Sequence, residues 1–208
     1  DGEPPNNWRS CFGGRPWTIE PQSGEYYLHL FLPEQPDLNW RNPAVQEEFT
    51  NILQFWLDKG VDGFRIDVAQ ALVKDKELRN NVQKREAALD APRWEQWDAF
   101  DHLHDIGQPE TLDIYRQWRS LLEEHDAVLI GETYVTEPSE FAAMLTGDGL
   151  HYGFWFKPMF IDWDADQIRQ VLSEPLEAVK TDSSISWVSS SHDDPRPATR
   201  FGGGDAGR

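Results

Sequence analysis

An arginine and an aspartate stand two residues apart in the run GFRIDV at residues 63–68, whose other members are apolar or small. This run predicts a buried strand, and residues at i and i+2 of a strand point to the same face. Buried charges are tolerated mainly when they are paired or functional. A carboxylate beside a guanidinium also stays ionised, as a nucleophile must. Arg65 and Asp67 therefore fit a structural ion pair at a strand end and a reactive site equally well.

Two further acidic residues follow predicted strands. Glu132 ends the short apolar run 127–132, and Asp193 follows a later strand-like run. Carboxylates gathered in this way suit glycoside cleavage, which needs one ionised carboxylate and one protonated carboxyl group in different surroundings. Asp67 is then the ionised group, and Glu132, at the end of an apolar strand, is the better candidate for a raised pKa and for proton donation. Asp193 would orient sugar hydroxyls as an oxocarbenium-like transition state forms.

The elements that must position these acids alternate along the chain. A helix from about Asn42 to Gly60 begins with a capping residue and a proline and ends at a glycine. Its predicted apolar stripe comprises Val45, Phe49, Ile52, Leu53, Trp56 and Leu57. The order of helix and then strand recurs three times, with helices near 112–122, 138–145 and 165–179. This alternation predicts parallel βα units.

The spacing of the acids indicates a barrel. A (β/α)8 barrel of about 250 residues gives each unit roughly 31 residues. Glu132 and Asp193 are 61 residues apart, which fits two units with the aromatic run 151–156 as the strand between them. Asp67 and Glu132 are 65 residues apart, which fits one unit and an insertion at about 74–108. We predict an α/β fold, a partial (β/α)8 TIM barrel.

Composition limits the partners and the compartment. The chain has 37 acidic and 19 basic residues and a net charge of -18, which argues against nucleic acid and anionic membrane surfaces. The single cysteine, Cys11, excludes an internal disulfide and favours a reducing compartment. An apolar run of about 18 residues and a charged-then-apolar leader are both missing, so neither a transmembrane helix nor a signal peptide is predicted. We predict a cytoplasmic protein.

Four motifs resemble those of glycoside hydrolase family 13, the α-amylase superfamily. They are GVDGFRIDVA at 60–69, IGET at 130–133, SHDDPR at 191–196 and QPDLN at 35–39. The last matches the α-glucosidase and oligo-1,6-glucosidase branch, and residues 5–17 resemble that branch's domain B, a loop excursion after the third barrel strand. The resemblance implies that residues 1–42 are the C-terminal part of a domain B-like loop region. It implies that residues 43–208 form a partial catalytic (β/α)8 barrel, about strands 4 to 7, that contains the insertion.

The resemblance also implies a retaining α-glucosidase that acts on short oligosaccharide α-glucosides by double displacement. Asp67 would be the nucleophile, Glu132 the general acid and then base, and Asp193 the transition-state stabiliser. The residues implied to bind the sugar are Arg65, His192 and Arg196. In such an enzyme the two catalytic carboxyl groups lie about 5–5.5 Å apart.

Some features depart from the family pattern. Ser191 stands where the family usually has Asn before His-Asp. The motif that ends the third strand is absent, so the chain resembles an internal fragment, which would be inactive alone. Val68 is associated with α-1,6-acting members but equally fits barrel packing, which leaves the linkage open. Two alternatives remain: a transglycosylating isomerase that forms isomaltulose or trehalose, and a non-enzymatic amylase-like heavy chain of a transporter. Oligomeric state and calcium dependence also remain open.

Two clusters contain residue types that bind metal ions. The acids of residues 162–166 alternate as in a calcium loop, but Gln167 and Ser173 replace the required Gly and Glu, so a solvated helix start is predicted. His102 and His104 have no convincing third ligand. We predict no metal and no cofactor.

Overall fold

The computed structural model describes residues 2–179 and 184–202. Its elements, in chain order, are β1 (Trp17–Ile19), β2 (Tyr26–Leu28), α1 (Pro43–Leu57), β3 (Gly63–Ile66), β4 (Val82–Gln83), α2 (Arg93–Asp98), β5 (Phe100–Asp101), α3 (Glu110–Glu123), β6 (Val128–Gly131), α4 (Pro138–Leu145), β7 (Tyr152–Trp155), α5 (Ala165–Ala178), β8 (Ser184–Trp187) and α6 (Pro197–Gly202). Short 3-10 helices cover Ala69–Ala71 and Lys157–Met159. None of the helices in these residues is long and apolar enough to cross a membrane.

Parallel strands form the main sheet, in the order β3-β6-β7-β8. Gly131 of β6 pairs with Ile66 on one side and with Gly153 on the other, and Gly153 pairs in turn with Ile185. A helix precedes each strand: α1, α3, α4 and α5. The predicted α/β fold with parallel βα units is confirmed, and β7 lies between the strands that lead to Glu132 and Asp193, as the spacing predicts.

The helix α1 shows how local sequence sets its two ends. The Asn42 side chain accepts a hydrogen bond from the Ala44 N–H at 3.0 Å, which caps the first turn. Beyond the last turn, Gly60 has a φ of +85°, the left-handed conformation that glycine adopts without strain. Both ends agree with the sequence prediction.

The burial of β3 differs from the prediction. The sequence indicates a buried strand, but the residues of β3 are half-buried or exposed. The reason is its place in the sheet, because among the described residues β6 alone pairs with it. A strand at a sheet edge keeps one side open, and the apolar run therefore indicates the strand but overstates its burial.

The apolar stripe of α1 is only partly covered. Leu53 and Leu57 are buried, whereas Ile52 and Trp56 keep 40% and 47% of their surface exposed. Phe55, which lies next to them, is 53% exposed. The prediction of a buried stripe is therefore correct for Leu53 and Leu57 and wrong for Ile52 and Trp56.

Contacts divide the chain into two compact units. One comprises residues 1–49 and 71–111, and the other comprises 50–70 and 112–208. The predicted insertion lies in the first unit, where the Asn7 side chain donates to the Asn81 carbonyl at 2.9 Å. The domain boundary predicted at residue 42 differs from this division by contacts and stays a prediction.

The first unit contains a partly buried ion pair that involves the QPDLN motif. Asp37 of this motif lies 2.8 Å from the Lys74 ammonium, and the two side chains are only 18% and 10% exposed. The other carboxylate oxygen of Asp37 accepts the Leu30 N–H at 2.7 Å. The ammonium also donates to the carbonyl of Ala71. The motif therefore has a structural role in holding the loop regions of this unit together.

Lys74→Met is expected to lower the free energy of unfolding by about 2–3 kcal/mol, because it leaves the largely buried Asp37 carboxylate without its cation. Urea unfolding of the natural protein, followed by circular dichroism, measures this change. The matched control is Lys84→Met, which removes a pair with Asp101 at 3.1 Å whose side chains are about half exposed. The control should cost at most about 1 kcal/mol, since exposed pairs are screened by solvent. Equal losses in both variants would contradict the structural role of Lys74.

Candidate active site

The sheet register places Asp67 and Glu132 next to each other. Ile66 and Gly131 are paired in register at the ends of β3 and β6, and each acid is the residue that follows. Neighbouring strands lie about 4.8 Å apart, so the two acids leave the same end of the sheet side by side. Both belong to the second unit.

The Arg65 guanidinium contacts both carboxylates. One terminal nitrogen donates to Asp67 Oδ1, and the other donates to Glu132 Oε1 at 2.5 Å. The two acids differ sharply in exposure, with 73% of the Asp67 side chain and 5% of the Glu132 side chain accessible to solvent. The sequence predicts the contact with Asp67, and the contact with Glu132 is an addition from the structure.

Burial raises the pKa of Glu132 above its ordinary value. The Val68 N–H, which donates to Glu132 Oε2 at 3.1 Å, and the charge of Arg65 act in the opposite direction. Hydrogen bonding and repulsion from Asp67 add to the rise, and the net shift is upward. This is the direction that the sequence analysis expects for a proton donor.

The backbone after Asp67 is strained at Val68. Its φ of +46° lies in the left-handed region, which a β-branched residue rarely adopts. The turn directs the Val68 N–H to the Glu132 carboxylate and the Ala69 N–H to the Glu132 carbonyl, the latter at 2.8 Å. Tyr115 donates its hydroxyl to the Ala69 carbonyl at 2.5 Å. Strained residues of this kind cluster at functional sites, and nothing in the sequence indicates this one.

The loop after β8 carries the remaining predicted residues. Burial lowers the pKa of the Arg65 guanidinium, but hydrogen bonding to Asp67 and the charges of Glu132, Asp67 and Asp193 raise it by more, so the net shift is upward. The Asp193 carboxylate therefore acts on the same guanidinium as the other two acids. His192 Nε2 lies 3.4 Å from Asp193 Oδ2, and both side chains are exposed. Arg196 donates to Ser190 Oγ at 2.9 Å, a contact within its own loop.

Tyr134 is a site residue that the sequence analysis missed. Its ring stacks on Phe156, with ring centroids 4.1 Å apart and planes inclined by 6°. Burial raises the pKa of Tyr134, the Ser191 hydroxyl acts in the opposite direction, and the charges of Glu132, Asp194 and Asp193 add to the rise. The signal that could have found it is an aromatic residue two positions after a strand-ending acid.

The side chains of the two candidate metal clusters have other partners in the structure. Within residues 2–179 and 184–202, no group of three or more His, Cys, Asp or Glu side chains could hold a metal ion. Asp164 caps α5 by accepting the N–H groups of Asp166 and Gln167 at 3.1 and 2.9 Å, the helix start that the sequence predicts. Both ring nitrogens of His102 are engaged, one with Asp105 Oδ2 at 2.8 Å and one with a backbone carbonyl of α2 at 2.9 Å.

Comparison with known proteins gives matches over the whole chain. The "Probable alpha-glucosidase" of Rhizobium meliloti is 36% identical over 212 residues, which cover 98% of this chain and 38% of that protein. The oligo-1,6-glucosidase of Parageobacillus thermoglucosidasius is 32% identical over 217 residues, which cover 97% of this chain and 37% of that protein. The chain thus spans less than two-fifths of the length of these relatives.

The solved structure of the alpha-glucosyl transfer enzyme XgtA has the same fold. It superposes with a TM-score of 0.88 at 38% identity, over 99% of this chain and 39% of that one. This likeness confirms the predicted partial TIM barrel. The family model for the catalytic domain of alpha-amylase matches residues 1–208. With its sheet, its strand-end acids and this match in agreement, the chain belongs to the alpha-amylase family and lies within the family's catalytic domain.

Proposed function

We propose that this chain is part of a retaining α-glucosidase that hydrolyses terminal α-glucosidic bonds of short oligosaccharides. The observation that carries the proposal is the pairing of two unlike carboxyl groups on one guanidinium. Asp67 is exposed and bound to Arg65, whereas Glu132 is buried and has a raised pKa. Such pairs supply the nucleophile and the acid of glycoside cleavage. The relatives named α-glucosidase and oligo-1,6-glucosidase support the same substrate class.

In the first step, Asp67 attacks the anomeric carbon and forms a β-glucosyl ester. The bond to the leaving oxygen breaks, and Glu132 gives that oxygen its proton. In the second step, Glu132 accepts a proton from water while the water oxygen attacks the anomeric carbon and Asp67 departs. The two inversions give net retention.

The environment of Glu132 changes between these steps in the required direction. In the free enzyme, repulsion from the Asp67 carboxylate helps to raise the pKa of Glu132. Esterification of Asp67 removes that negative charge, while Arg65 and the Val68 N–H continue to favour the ionised form. The pKa of Glu132 therefore falls in the intermediate, where this residue must act as a base.

The shared guanidinium favours retention over inversion. Its two terminal nitrogens hold the carboxylates of Asp67 and Glu132 side by side. An inverting enzyme separates its two carboxyl groups by about 6.5–9.5 Å to admit a water, and a retaining enzyme by about 5–5.5 Å. Two carboxylates bound to one guanidinium fit the shorter class.

Transfer to a sugar acceptor is the second candidate function. It uses the same carboxylates and the same glucosyl ester, and only the acceptor differs from water. The likeness to an alpha-glucosyl transfer enzyme favours this alternative specifically. The ratio of released glucose to transfer product, measured with a disaccharide substrate at high concentration, separates the two. The transporter heavy-chain alternative is disfavoured by the intact set Asp67, Glu132 and Asp193.

The proposed partners are oligosaccharide α-glucosides, and the proposed role of the protein is in oligosaccharide catabolism. The net charge of -18 supports the absence of nucleic acid and anionic membranes among the partners. The proposal of a cytoplasmic location rests on the single cysteine, Cys11. Burial raises the pKa of the Cys11 thiol to about 12, which makes this residue a poor nucleophile.

The natural protein is expected to hydrolyse 4-nitrophenyl α-glucoside with α-glucose as the first product, because two displacements restore the original configuration. Proton NMR of the anomeric signals in the first minutes, before mutarotation, measures this. The β-glucoside is the matched control and should not react. Initial release of β-glucose would show a single displacement and overturn the proposed roles.

A further inference from the structure

We propose that Tyr115 is a positioning residue for the acid Glu132. Its hydroxyl holds the turn at residues 67–69, and this turn keeps the Val68 N–H on the Glu132 carboxylate. The inference rests on the proposed glucosidase function and deepens it, because it names what fixes the acid. All of these residues belong to the second unit.

Glu132 has one donor on each carboxylate oxygen. The Arg65 guanidinium donates to Oε1 at 2.5 Å, and the Val68 N–H donates to Oε2 at 3.1 Å. The Glu132 side chain is only 5% exposed, so water has little access to replace either donor. Arg65 is divided between Glu132 and Asp67, whereas the Val68 N–H is directed to Glu132. The backbone donor therefore matters for the orientation of this acid.

The position of the Val68 N–H depends on a strained turn. A β-branched residue stays at a φ of +46° only where its surroundings hold it there. The next residue, Ala69, is fully buried and is held on both sides of its backbone. Its N–H donates to the Glu132 carbonyl at 2.8 Å, and its carbonyl accepts the Tyr115 hydroxyl at 2.5 Å. The Tyr115 hydroxyl is thus one of the two hydrogen bonds that fix the residue beside the strain.

Tyr115 is well suited to be the fixed end of this arrangement. It lies within α3, is fully buried and packs against Trp118, with ring centroids 5.7 Å apart. Burial raises the pKa of Tyr115 well above its ordinary value, so the hydroxyl remains a donor wherever carboxyl groups titrate. Any buried hydroxyl needs a partner. This one has as its partner the carbonyl of the residue that follows the strained Val68.

The turn acts on Glu132 in the direction that the second step of the reaction needs. The Val68 N–H favours the ionised form of Glu132, which must accept a proton from water in that step. The other charged or titratable groups that interact with Glu132 are Arg65, Asp67 and Tyr134. Tyr115→Phe removes none of these groups and keeps the buried ring. Its effect on Glu132 therefore passes through the turn.

The pH profile of Tyr115→Phe tests the proposal in the natural protein with a disaccharide substrate. Without its support the Val68 N–H leaves the carboxylate, the ionised form is favoured less, and the pKa of Glu132 rises. The alkaline limb of kcat/KM should therefore move upward by about half a pH unit. The acid limb, which reports the ionisation of Asp67, should stay in place. A purely structural role of the hydroxyl would lower the Tm and leave both limbs where they are.

Pre-steady-state kinetics with 4-nitrophenyl α-glucoside give a second readout. The nitrophenol burst should keep its rate, since this leaving group needs no proton. Below the pKa of Glu132, breakdown of the glucosyl ester should slow about threefold, the factor that half a pH unit gives. Azide attacks the ester without a general base and should restore turnover. A slower burst, or a loss that azide does not relieve, would contradict the assigned action on Glu132.

Substitutions at Val68 test whether the hydroxyl acts through the turn. Glycine adopts a left-handed φ without strain, so in Val68→Gly the turn needs less support. Adding Tyr115→Phe to Val68→Gly should move the alkaline limb by less than half as much as in the natural sequence. Val68→Ala is the matched control, because it also shortens the side chain but keeps the strain. In that background Tyr115→Phe should keep its full effect.

Trp155→Phe serves as the control for stability. It removes a buried indole N–H that donates to the Val171 carbonyl at 2.8 Å. This variant should lower the Tm and leave the alkaline limb unchanged. A shift of the limb in this control as large as that in Tyr115→Phe would show that the limb reports stability, and it would overturn the inference.

Two further results would overturn the inference: an unmoved alkaline limb in a folded Tyr115→Phe variant, or equal shifts in the glycine and alanine backgrounds. If Tyr115→Phe does not fold, recovery of the fold by Val68→Gly supports the inference, and failure to recover contradicts it. A wild type without activity on any α-glucoside would remove the proposed function and the inference together. An active wild type with an unmoved limb in Tyr115→Phe would remove the inference alone.

Discussion

Asp67→Asn is expected to reduce kcat/KM for 4-nitrophenyl α-glucoside by several orders of magnitude. The amide has the shape of the carboxylate but cannot attack the anomeric carbon, so the glucosyl ester does not form. The Arg65 contact and the surrounding backbone remain, and the loss therefore reports chemistry rather than folding. Initial rates of nitrophenol release measure it. Asp62→Asn is the matched control, since this exposed acid lies in the same motif and should leave the rate unchanged.

Azide distinguishes a nucleophile from a residue that only supports the site. In Asp67→Ala, azide can enter the vacated space and attack the anomeric carbon in place of the carboxylate. The expected product is β-glucosyl azide. Normal turnover in Asp67→Asn, or rescue that yields the α-azide, would exclude Asp67 as the nucleophile.

Glu132→Gln is expected to give the second large effect, and its size should depend on the leaving group. Sugar leaving groups need the proton that Glu132 donates, so turnover of a disaccharide should fall by about 10²- to 10⁴-fold. Nitrophenolate leaves without a proton, and formation of the glucosyl ester from the aryl glucoside should fall far less. Stopped-flow detection of a nitrophenol burst measures this difference. Equal losses with both substrates would contradict the role of Glu132 as an acid.

The pH profile of the wild type gives a related result. Because its pKa is raised, Glu132 keeps its proton above the ordinary range of glutamate and loses it as the pH rises through the shifted value. Activity should therefore persist above that range and decline on the alkaline side. The alkaline decline of kcat/KM should disappear in Glu132→Gln, whose amide does not titrate.

The sequence predicts the pairing of Asp67 with Glu132 because parallel strands end at the same edge of a sheet. It does not predict the second contact of Arg65. An arginine at a strand end shows that a partner is needed, but not which neighbouring strand supplies it. The half-burial of β3 has the same origin, since apolar composition indicates a strand and says nothing of its place in the sheet.

The sequence does not predict which loops lie close together, for a different reason. Tyr134 and Ser191 follow different strands, and the path of a loop leaves no periodic trace in the residues that form it. The positive φ of Val68 is hidden in a similar way, because valine is among the residues least expected there. The grouping of the insertion with the N-terminal segment depends on hydrogen bonds such as that from Asn7 to Asn81.

The sharing of Arg65 has a consequence for the charge of the site. With Glu132 protonated, one cation faces the two carboxylates of Asp67 and Asp193, and the group carries one negative charge. A neutral glucoside leaves that charge unbalanced, whereas a glucosyl group with oxocarbenium character neutralises it. The net charge of the site together with its substrate is therefore neutral only in the transition state. A second cation in contact with these two carboxylates would weaken the electrostatic preference for the transition state.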